Sequence, residues 1–92
     1  MGLLSDSEVD ARLSEHPGWE RDGDAISKTF ERGDFVGSIN FVRTLVEPAE
    51  AMNHHPDLEV SWDKVTVKIA THSEGGITAA DFELATKIDA IA

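Results

Sequence analysis

Residues 58–70 carry the strongest structural signal in this chain of 92 residues. Apolar side chains occupy every second position in two short runs, which the polar pair Asp63-Lys64 separates. Because successive side chains of a β-strand point to opposite faces, this alternation predicts two strands, each with one buried face. The short polar turn between them predicts an antiparallel hairpin. The alternating apolar residues are Leu58, Val60, Trp62, Val65, Val67 and Ile69.

The length and composition predict one folded domain over residues 1–92. Hydrophobic residues make up 40% of the chain, which favours a packed core over disorder. The lack of cysteine excludes disulfides, thiolate metal sites and a cysteine nucleophile. No apolar run approaches membrane-spanning length and the first residues lack the pattern of a signal peptide, so a cytoplasmic location is expected.

The charge balance is strongly acidic. The chain has 18 acidic and 8 basic residues, which gives a formal net charge of −10. Such a surface repels phosphate backbones and anionic lipid headgroups. We therefore expect neither direct nucleic-acid binding nor membrane binding.

Capping signals predict where the first and last helices begin. Ser5 followed by Glu8 is typical of a capping box, and Thr78 followed by Asp81 is a second one. Pro17-Gly18 ends the first helix, because proline cannot continue a helix and glycine favours turns.

The longest helical pattern follows Asp34, a suitable N-cap. Apolar residues recur there at spacings of three and four, which predicts the central core helix. Pro48 falls inside this pattern and predicts a kink, or a break with a second short helix. Asn53 is a suitable terminator. The apolar stripe comprises Phe35, Ile39, Val42, Val46 and Ala49, widened by Phe41, Leu45 and Met52.

A further hairpin is predicted over residues 19–30, with Asp22-Gly23 at its turn. The predicted order is therefore α-β-β-α-β-β-α. The simplest arrangement is an α+β fold, a four-stranded antiparallel sheet with three helices packed on one face. Such a sheet has exposed edge strands that favour pairing with a second copy.

Four polar residues could carry chemistry: Glu50, His54, His55 and His72. Histidine exchanges protons near neutral pH, and the end of the central helix can meet the end of the last strand. We therefore expect three imidazoles around one cleft, with Glu50 one helical turn before His54. A carboxylate beside an imidazole raises its pKa and fixes its tautomer.

Structural roles remain open for each candidate. His54 and His55 could simply interact with the dipole at the end of a helix, and Asp81 could act only as a helix cap. His16 is expected to be structural. Trp19 and Trp62 are more often packing residues than substrate platforms. Zinc could bind three histidines and a carboxylate, but no His-x-x-x-His pair is present, so no metal is expected.

The spacing of these residues resembles a family signature. Three residues separate Glu50 from His54-His55-Pro56, and five separate Pro56 from Trp62. Nine residues then separate Trp62 from His72, and eight separate His72 from Asp81. This pattern is similar to that of the pterin-4a-carbinolamine dehydratases, and the resemblance covers nearly the whole chain. It implies the same α+β fold and dehydration of a 4a-hydroxytetrahydropterin to a quinonoid dihydropterin. No cofactor is implied.

The resemblance also implies roles and partners. His54 and His72 match the general acid and base, whose order stays open, and His55 matches the residue that orients the pterin. Glu50 matches the acid that supports the first histidine. A homodimer or tetramer and a functional link to an aromatic amino-acid hydroxylase are implied as well. The remaining candidates for substrate binding are Thr71 and Ser73, through backbone groups, Trp19, as a wall of the cleft, and Asp81.

Two other functions remain open. Some relatives act as dimerisation cofactors of a transcription factor or as assembly chaperones, so the chain could be a protein-binding module. An exposed Phe41 or Met52 would favour that function. The chain could also act on a different pterin. All three histidines of the signature are present, which argues against the inactive relatives.

Overall fold

The computed structural model describes residues 2–92, which form a four-stranded antiparallel sheet and helices around one core. The order of the strands in the sheet is β1-β2-β4-β3. The predicted α+β class and element order are confirmed. The helices are α1 (Asp6–Ser14), α2 (Phe35–Thr44), α3 (Val46–Met52) and α4 (Ala79–Ile91), and the strands are β1 (Glu20–Asp22), β2 (Ala25–Glu31), β3 (Asp57–Ser61) and β4 (Lys64–Ile69).

The predicted central helix is divided at Leu45, between α2 and α3. Pro48 explains the break, because it has no backbone N–H to donate to the carbonyl of Thr44. Within the first turn of α3 that donor is not needed. Asn53 ends α3 in the left-handed conformation, with φ of 49°. Of the two alternatives, a kink or a break, the break is therefore correct.

Both capping boxes form as predicted. In α1, the Ser5 hydroxyl accepts from the Glu8 backbone N–H, and the Ser5 backbone N–H donates to the Glu8 carboxylate. The second of these bonds holds the pKa of the Glu8 carboxyl below its usual range. In α4, Thr78 and Asp81 form the equivalent pair. These caps fix where α1 and α4 begin.

One face of the sheet forms the core. Val65, Val67 and Ile69 of β4 are fully buried, whereas Lys64 and Lys68 of the same strand are exposed on the opposite face. The helices cover the apolar face. Among residues 2–92, every helix is too short or too polar to cross a bilayer.

The apolar stripe of the predicted core helix is only partly buried. Phe41 and Leu45 are buried, but Phe35 is 55% exposed and Val46 is 59% exposed. Helical periodicity identifies apolar positions without showing which of them the rest of the chain covers. An apolar surface on α2 and α3 is left facing solvent.

Candidate functional site

His54 lies directly after α3 and contacts the first turn of α4. Its Nε2 atom is 2.6 Å from Oδ1 of Asp81, and the Asp81 side chain is fully buried. The left-handed Asn53 turns the chain here, and the His54 backbone N–H donates to the carbonyl of Ala49. A buried carboxylate therefore orients the imidazole of His54.

The second oxygen of the Asp81 carboxylate joins this pair to the end of β4. Oδ2 accepts a hydrogen bond from the Thr71 hydroxyl at 3.0 Å and from the Thr78 backbone N–H at 2.8 Å. Thr71 also bonds the Thr78 hydroxyl at 2.8 Å. Asp81 thus accepts from donors on three segments, which suits a carboxylate held as an acceptor.

This geometry selects the reactive atom of His54. Because Asp81 is an acceptor, Nε2 of His54 carries the proton and donates, so in the neutral ring Nδ1 has the free lone pair. Residues 2–92 contain no buried side-chain nitrogen or oxygen without a hydrogen-bond partner. Nδ1 of His54 makes no such bond to these residues, so it is not fully buried, and the His54 side chain is 15% exposed. Nδ1 can therefore exchange a proton with a bound molecule.

His72 lies next to Thr71, in a 3₁₀ turn that follows β4. Its side chain is exposed and lines a cavity of about 440 Å³ at the end of the sheet. Lys68 and Asp57, which are opposite each other on β4 and β3, line the same cavity. Neither residue was predicted from the sequence, although their polar positions on the open face of the hairpin were a usable signal.

Glu50 pairs with His55 rather than with His54, which corrects the predicted contact. Nε2 of His55 is 2.5 Å from Oε2 of Glu50, and both side chains are more than half exposed. Glu50 lies in the last turn of α3, whereas His55 follows the end of the helix, and the left-handed turn at Asn53 brings its ring back toward Glu50. The carboxylate that supports His54 is Asp81.

The three imidazoles do not share a single cavity. The cavity at His72 is lined by neither His54 nor His55. His55 instead lies at a second cavity, of about 200 Å³, between the helices and β3. The structure therefore joins His54 to the His72 turn through Asp81 and Thr71, whereas the neighbouring His55 lines a separate cavity together with Glu50.

Thr71 and Ser73 were predicted to offer backbone groups. The Thr71 backbone is already used, because its N–H donates to the carbonyl of Gly76 and its own carbonyl accepts from Glu74 and Gly75. Thr71 contributes its hydroxyl to the site, through the hydrogen bond that it donates to Asp81. Ser73 is exposed in the 3₁₀ turn beside His72.

Trp19 does not wall the histidine site, contrary to the prediction. It is buried in the core, and its indole N–H donates to the carboxylate of Asp89 at 2.9 Å. Asp89 also pairs with Lys28 at 2.9 Å. Asp89 and Asp81 are eight residues apart on α4, roughly 12 Å at 1.5 Å per residue. Trp19 thus ties the first hairpin to the far end of α4.

Replacing Trp19 with phenylalanine is expected to lower stability without changing catalysis. A smaller aromatic ring remains, but part of the indole packing and the hydrogen bond to the Asp89 carboxylate are lost, which costs about 1–3 kcal/mol in the free energy of unfolding. Urea denaturation measures this loss. A higher KM with unchanged stability would contradict the packing role and indicate that Trp19 contributes to substrate binding.

The described residues offer no metal centre. Within residues 2–92, no group of three or more His, Asp or Glu side chains is arranged to hold an ion. His54 and His55 are each occupied by a different carboxylate. What the site presents is a set of imidazoles and carboxylates suited to proton transfer.

Comparison with known proteins agrees with this fold. The family model described as "Pterin 4 alpha carbinolamine dehydratase" matches residues 2–91. A Thermosynechococcus vestitus protein is 49% identical over 97% of this chain and 94% of its own length. A Roseiflexus protein is 48% identical over 96% of this chain and 95% of its own length. Both are named "Putative pterin-4-alpha-carbinolamine dehydratase".

Two solved structures share the fold. A Brucella melitensis protein described as a "transcriptional coactivator/pterin dehydratase" has a TM-score of 0.93 and 34% identity, with 99% of each chain covered. A pterin dehydratase-like protein described as a RuBisCO assembly factor in the alpha-carboxysome has a TM-score of 0.70 and 21% identity, over 84% of this chain and 92% of its own. The second likeness concerns the fold alone. By the match of the family model and of these relatives over nearly its whole length, the chain belongs to the pterin 4 alpha carbinolamine dehydratase family.

Proposed function

We propose that this protein dehydrates a 4a-hydroxytetrahydropterin to the quinonoid dihydropterin and water. The observation that carries the proposal is the hydrogen bond between His54 and the buried carboxylate of Asp81, which Thr71 links to the His72 turn. A histidine whose far nitrogen bonds a buried carboxylate is oriented for acid–base work. Family membership supplies the class of substrate.

The reaction needs two proton movements. The hydroxyl on C4a leaves as water once it gains a proton, and N5 loses its own proton as the new double bond forms. We assign these transfers to Nδ1 of His54 and to the imidazole of His72. General acid–base help of this kind is worth roughly 10²- to 10⁴-fold in rate. Which of the two histidines acts as the acid and which as the base depends on the face of the pterin ring that carries the C4a hydroxyl.

Glu50 and His55 are proposed to hold the pterin rather than to move its protons. The two side chains are paired at a mostly apolar cavity, so a carboxylate and an imidazole lie at the edge of a surface suited to a flat heterocycle. The exposed acceptors of Glu50 match the amine and N–H donors of a pterin.

The setting of the reaction follows from its chemistry. Its product is an oxidised pterin that a reductase can return to the tetrahydro form, so we propose a role in recycling the cofactor of an aromatic amino-acid hydroxylase in the cytoplasm. The exposed β3 edge and the apolar surface of α2 and α3 support a homodimer, or a tetramer of such dimers.

A direct assay tests the proposal. Chemically generated 4a-hydroxytetrahydropterin loses water slowly by itself, and the protein is expected to speed this loss by at least roughly 10²-fold. The absorbance of the quinonoid product measures the rate, with heat-denatured protein as the control. A rate equal to the spontaneous one on both 4a epimers would rule out this substrate.

A protein-binding module is the second candidate function. Phe41 is buried and Met52 is half-buried, so the residues expected to mark a binding face are not exposed. Phe35 and Val36 on α2 are exposed, however, and favour contact with a protein. If the chain binds an aromatic hydroxylase or another protein but does not accelerate dehydration, this candidate replaces the first.

A further inference from the structure

The cavity of about 440 Å³ at His72 opens on the polar face of the sheet. Part of its lining is formed by residues with no side chain larger than a methyl group: Ala25, Ala70, Gly75 and Gly76. Gly75 has φ of 74°, a conformation that favours glycine, so the backbone itself calls for a residue without a side chain at this position. The turn that carries His72 therefore keeps one side of the cavity open.

Charged side chains on the same face surround this space. Lys68 and Asp57 are opposite each other in the ladder between β4 and β3, so their side chains lie on one face of the sheet. Nζ of Lys68 is 3.4 Å from Oδ2 of Asp22, and both of these side chains are about half exposed. An ammonium donates hydrogen bonds and a carboxylate accepts them, whereas a hydroxyl group does both. The cavity can therefore bind a hydroxylated chain through Lys68 and Asp57 together.

The balance of charge in the cavity disfavours an anion. Three carboxylates line it, those of Asp22, Asp24 and Asp57, against the one ammonium of Lys68. Asp22 already pairs with that ammonium, and the whole chain has a formal net charge of −10. A carboxylate that entered the cavity would meet like charges at close range and would lose part of its hydration. A neutral hydroxylated chain avoids both costs.

The chemistry of the proposed reaction brings one part of the substrate to this cavity. The reacting atoms C4a and N5 are neighbours, and N5 is bonded to C6, the ring carbon that carries a substituent. A group that transfers a proton must lie within hydrogen-bond reach, so a chain on C6 begins about 5 Å from the histidine that serves N5 or the C4a hydroxyl. The His54 side chain is only 15% exposed, which leaves little room for a chain, whereas His72 faces the cavity.

We propose that the cavity at His72 holds the C6 substituent of the pterin, and that Lys68 and Asp57 select a hydroxylated substituent over one that carries a carboxylate. The assignment of the cavity to C6 rests on the proposed function, because His72 is the residue that places C6 there. Lys68 and Asp57 contact the substituent and not the reacting atoms, so they determine specificity and take no part in proton transfer.

Binding of two stable pterins tests the selection without the reaction. One carries a hydroxypropyl chain at C6 and the other a carboxyethyl chain, so the two chains have nearly the same length. Titration followed by pterin fluorescence gives both dissociation constants. The hydroxypropyl pterin is expected to bind roughly fivefold to tenfold more tightly. Equal affinities, or a preference for the carboxyethyl pterin, would overturn the proposal.

Replacing Asp57 with lysine is expected to abolish this preference, because the change removes one negative charge from the cavity and adds a positive one. Asp57→Asn keeps the shape of the side chain and is expected to reduce the preference roughly twofold to threefold. It also covers the case in which the lysine variant does not fold, which circular dichroism checks. A preference that survives in both folded variants contradicts a role for Asp57.

Lys68→Gln tests the second residue. Glutamine retains donors but loses the charge, so the affinity for the hydroxypropyl pterin is expected to fall roughly threefold to tenfold more than the affinity for a pterin with a methyl group at C6. Equal losses for the two pterins would remove Lys68 from the selection.

Glu59 and Lys64 provide matched controls on the same face of the sheet. Neither residue lines the cavity, and each is one or two ladder pairs further from His72 than Asp57 and Lys68. Glu59→Lys and Lys64→Gln change the charge of the chain by the same amounts as the test variants. Both controls are expected to keep the wild-type preference. An effect of Glu59→Lys equal to that of Asp57→Lys would mean that net charge, and not the cavity, sets the preference.

Dehydration assays with the corresponding 4a-hydroxytetrahydropterins separate the selection from the reaction. The preference is expected to appear in kcat/KM, mainly through KM, because the chain contacts groups that do not move protons. Acceleration with equal kcat/KM for the two chains would overturn the selection and leave the dehydratase proposal intact. No acceleration with any substrate, including the one with a methyl group at C6, would overturn the proposed function, and with it the assignment of the cavity to C6.

Discussion

Replacing His72 with alanine is expected to lower kcat for pterin dehydration by roughly 10²- to 10⁴-fold. The ring is exposed on the turn after β4, so its removal deletes little packing and the free energy of unfolding should hardly change. Stopped-flow dehydration assays and urea denaturation measure the two quantities. Full activity of this variant would remove His72 from the mechanism.

His54 needs a different substitution, because its ring also satisfies a buried carboxylate. His54→Gln keeps a side-chain N–H for Asp81 but cannot exchange a proton near neutral pH, so kcat is expected to fall by roughly 10²- to 10⁴-fold with the fold retained. His54→Ala leaves Oδ1 of the buried Asp81 carboxylate without a donor and should also cost about 1–3 kcal/mol of stability.

His16 provides the matched control for both histidines. Its Nδ1 atom bonds the carbonyl of Arg12 at 2.7 Å and its Nε2 atom bonds the hydroxyl of Thr86 at 3.1 Å, so its contacts join α1 to α4. His16→Ala is expected to lower stability and to leave kcat and KM unchanged. A loss of kcat equal to that of His72→Ala would mean that the assay reports folding rather than proton transfer.

Asp81→Asn is expected to produce the second large loss of kcat. The amide can still accept from the Thr78 N–H, but its NH₂ group donates where the carboxylate accepted. His54 must then accept at Nε2, which moves the ring proton to Nδ1 and removes the free lone pair there. We expect kcat to fall on the order of 10²-fold and the free energy of unfolding to fall by about 1–3 kcal/mol.

The same substitution elsewhere on α4 is the control for Asp81. Asp89→Asn removes the charge that pairs with Lys28 but keeps an acceptor for the Trp19 indole. This variant should lose stability and keep its kcat. Nitrogen-15 chemical shifts of the imidazole report the tautomer directly. If His54 keeps its proton on Nε2 in Asp81→Asn, the proposed effect on kcat has no basis.

Local sequence patterns were sufficient for the order of elements. The capping boxes at Ser5 and Thr78, the terminator Asn53 and the break caused by Pro48 each depend on residues within a few positions. Such contacts are nearly the same in any fold that contains the element. The hairpin of β3 and β4 followed from alternation, and that of β1 and β2 from the turn signal at Asp22-Gly23. The structure shifts each two-residue turn by one position, to Gly23-Asp24 and Trp62-Asp63.

The partners of the ionisable side chains were less accessible to sequence reasoning. Glu50 lies one helical turn before His54, so periodicity paired these two, but the left-handed Asn53 ended the helix and brought His55 to Glu50 instead. Trp19 preceded a hairpin and could have lined either a cleft or the core. Its hydrogen bond to Asp89 spans 70 residues and has no local signature.

The sequence alone determined the element order, the caps and the residues of the family signature, because each of these depends on short-range periodicity and spacing. Only the tertiary structure decided that Asp81 forms a hydrogen bond with His54 and that Glu50 forms one with His55. A capping box uses one oxygen of Asp81, and the carboxylate has a second. Which side chain meets that second oxygen depends on how α3 packs against α4, since His54 and Asp81 are 27 residues apart in the chain.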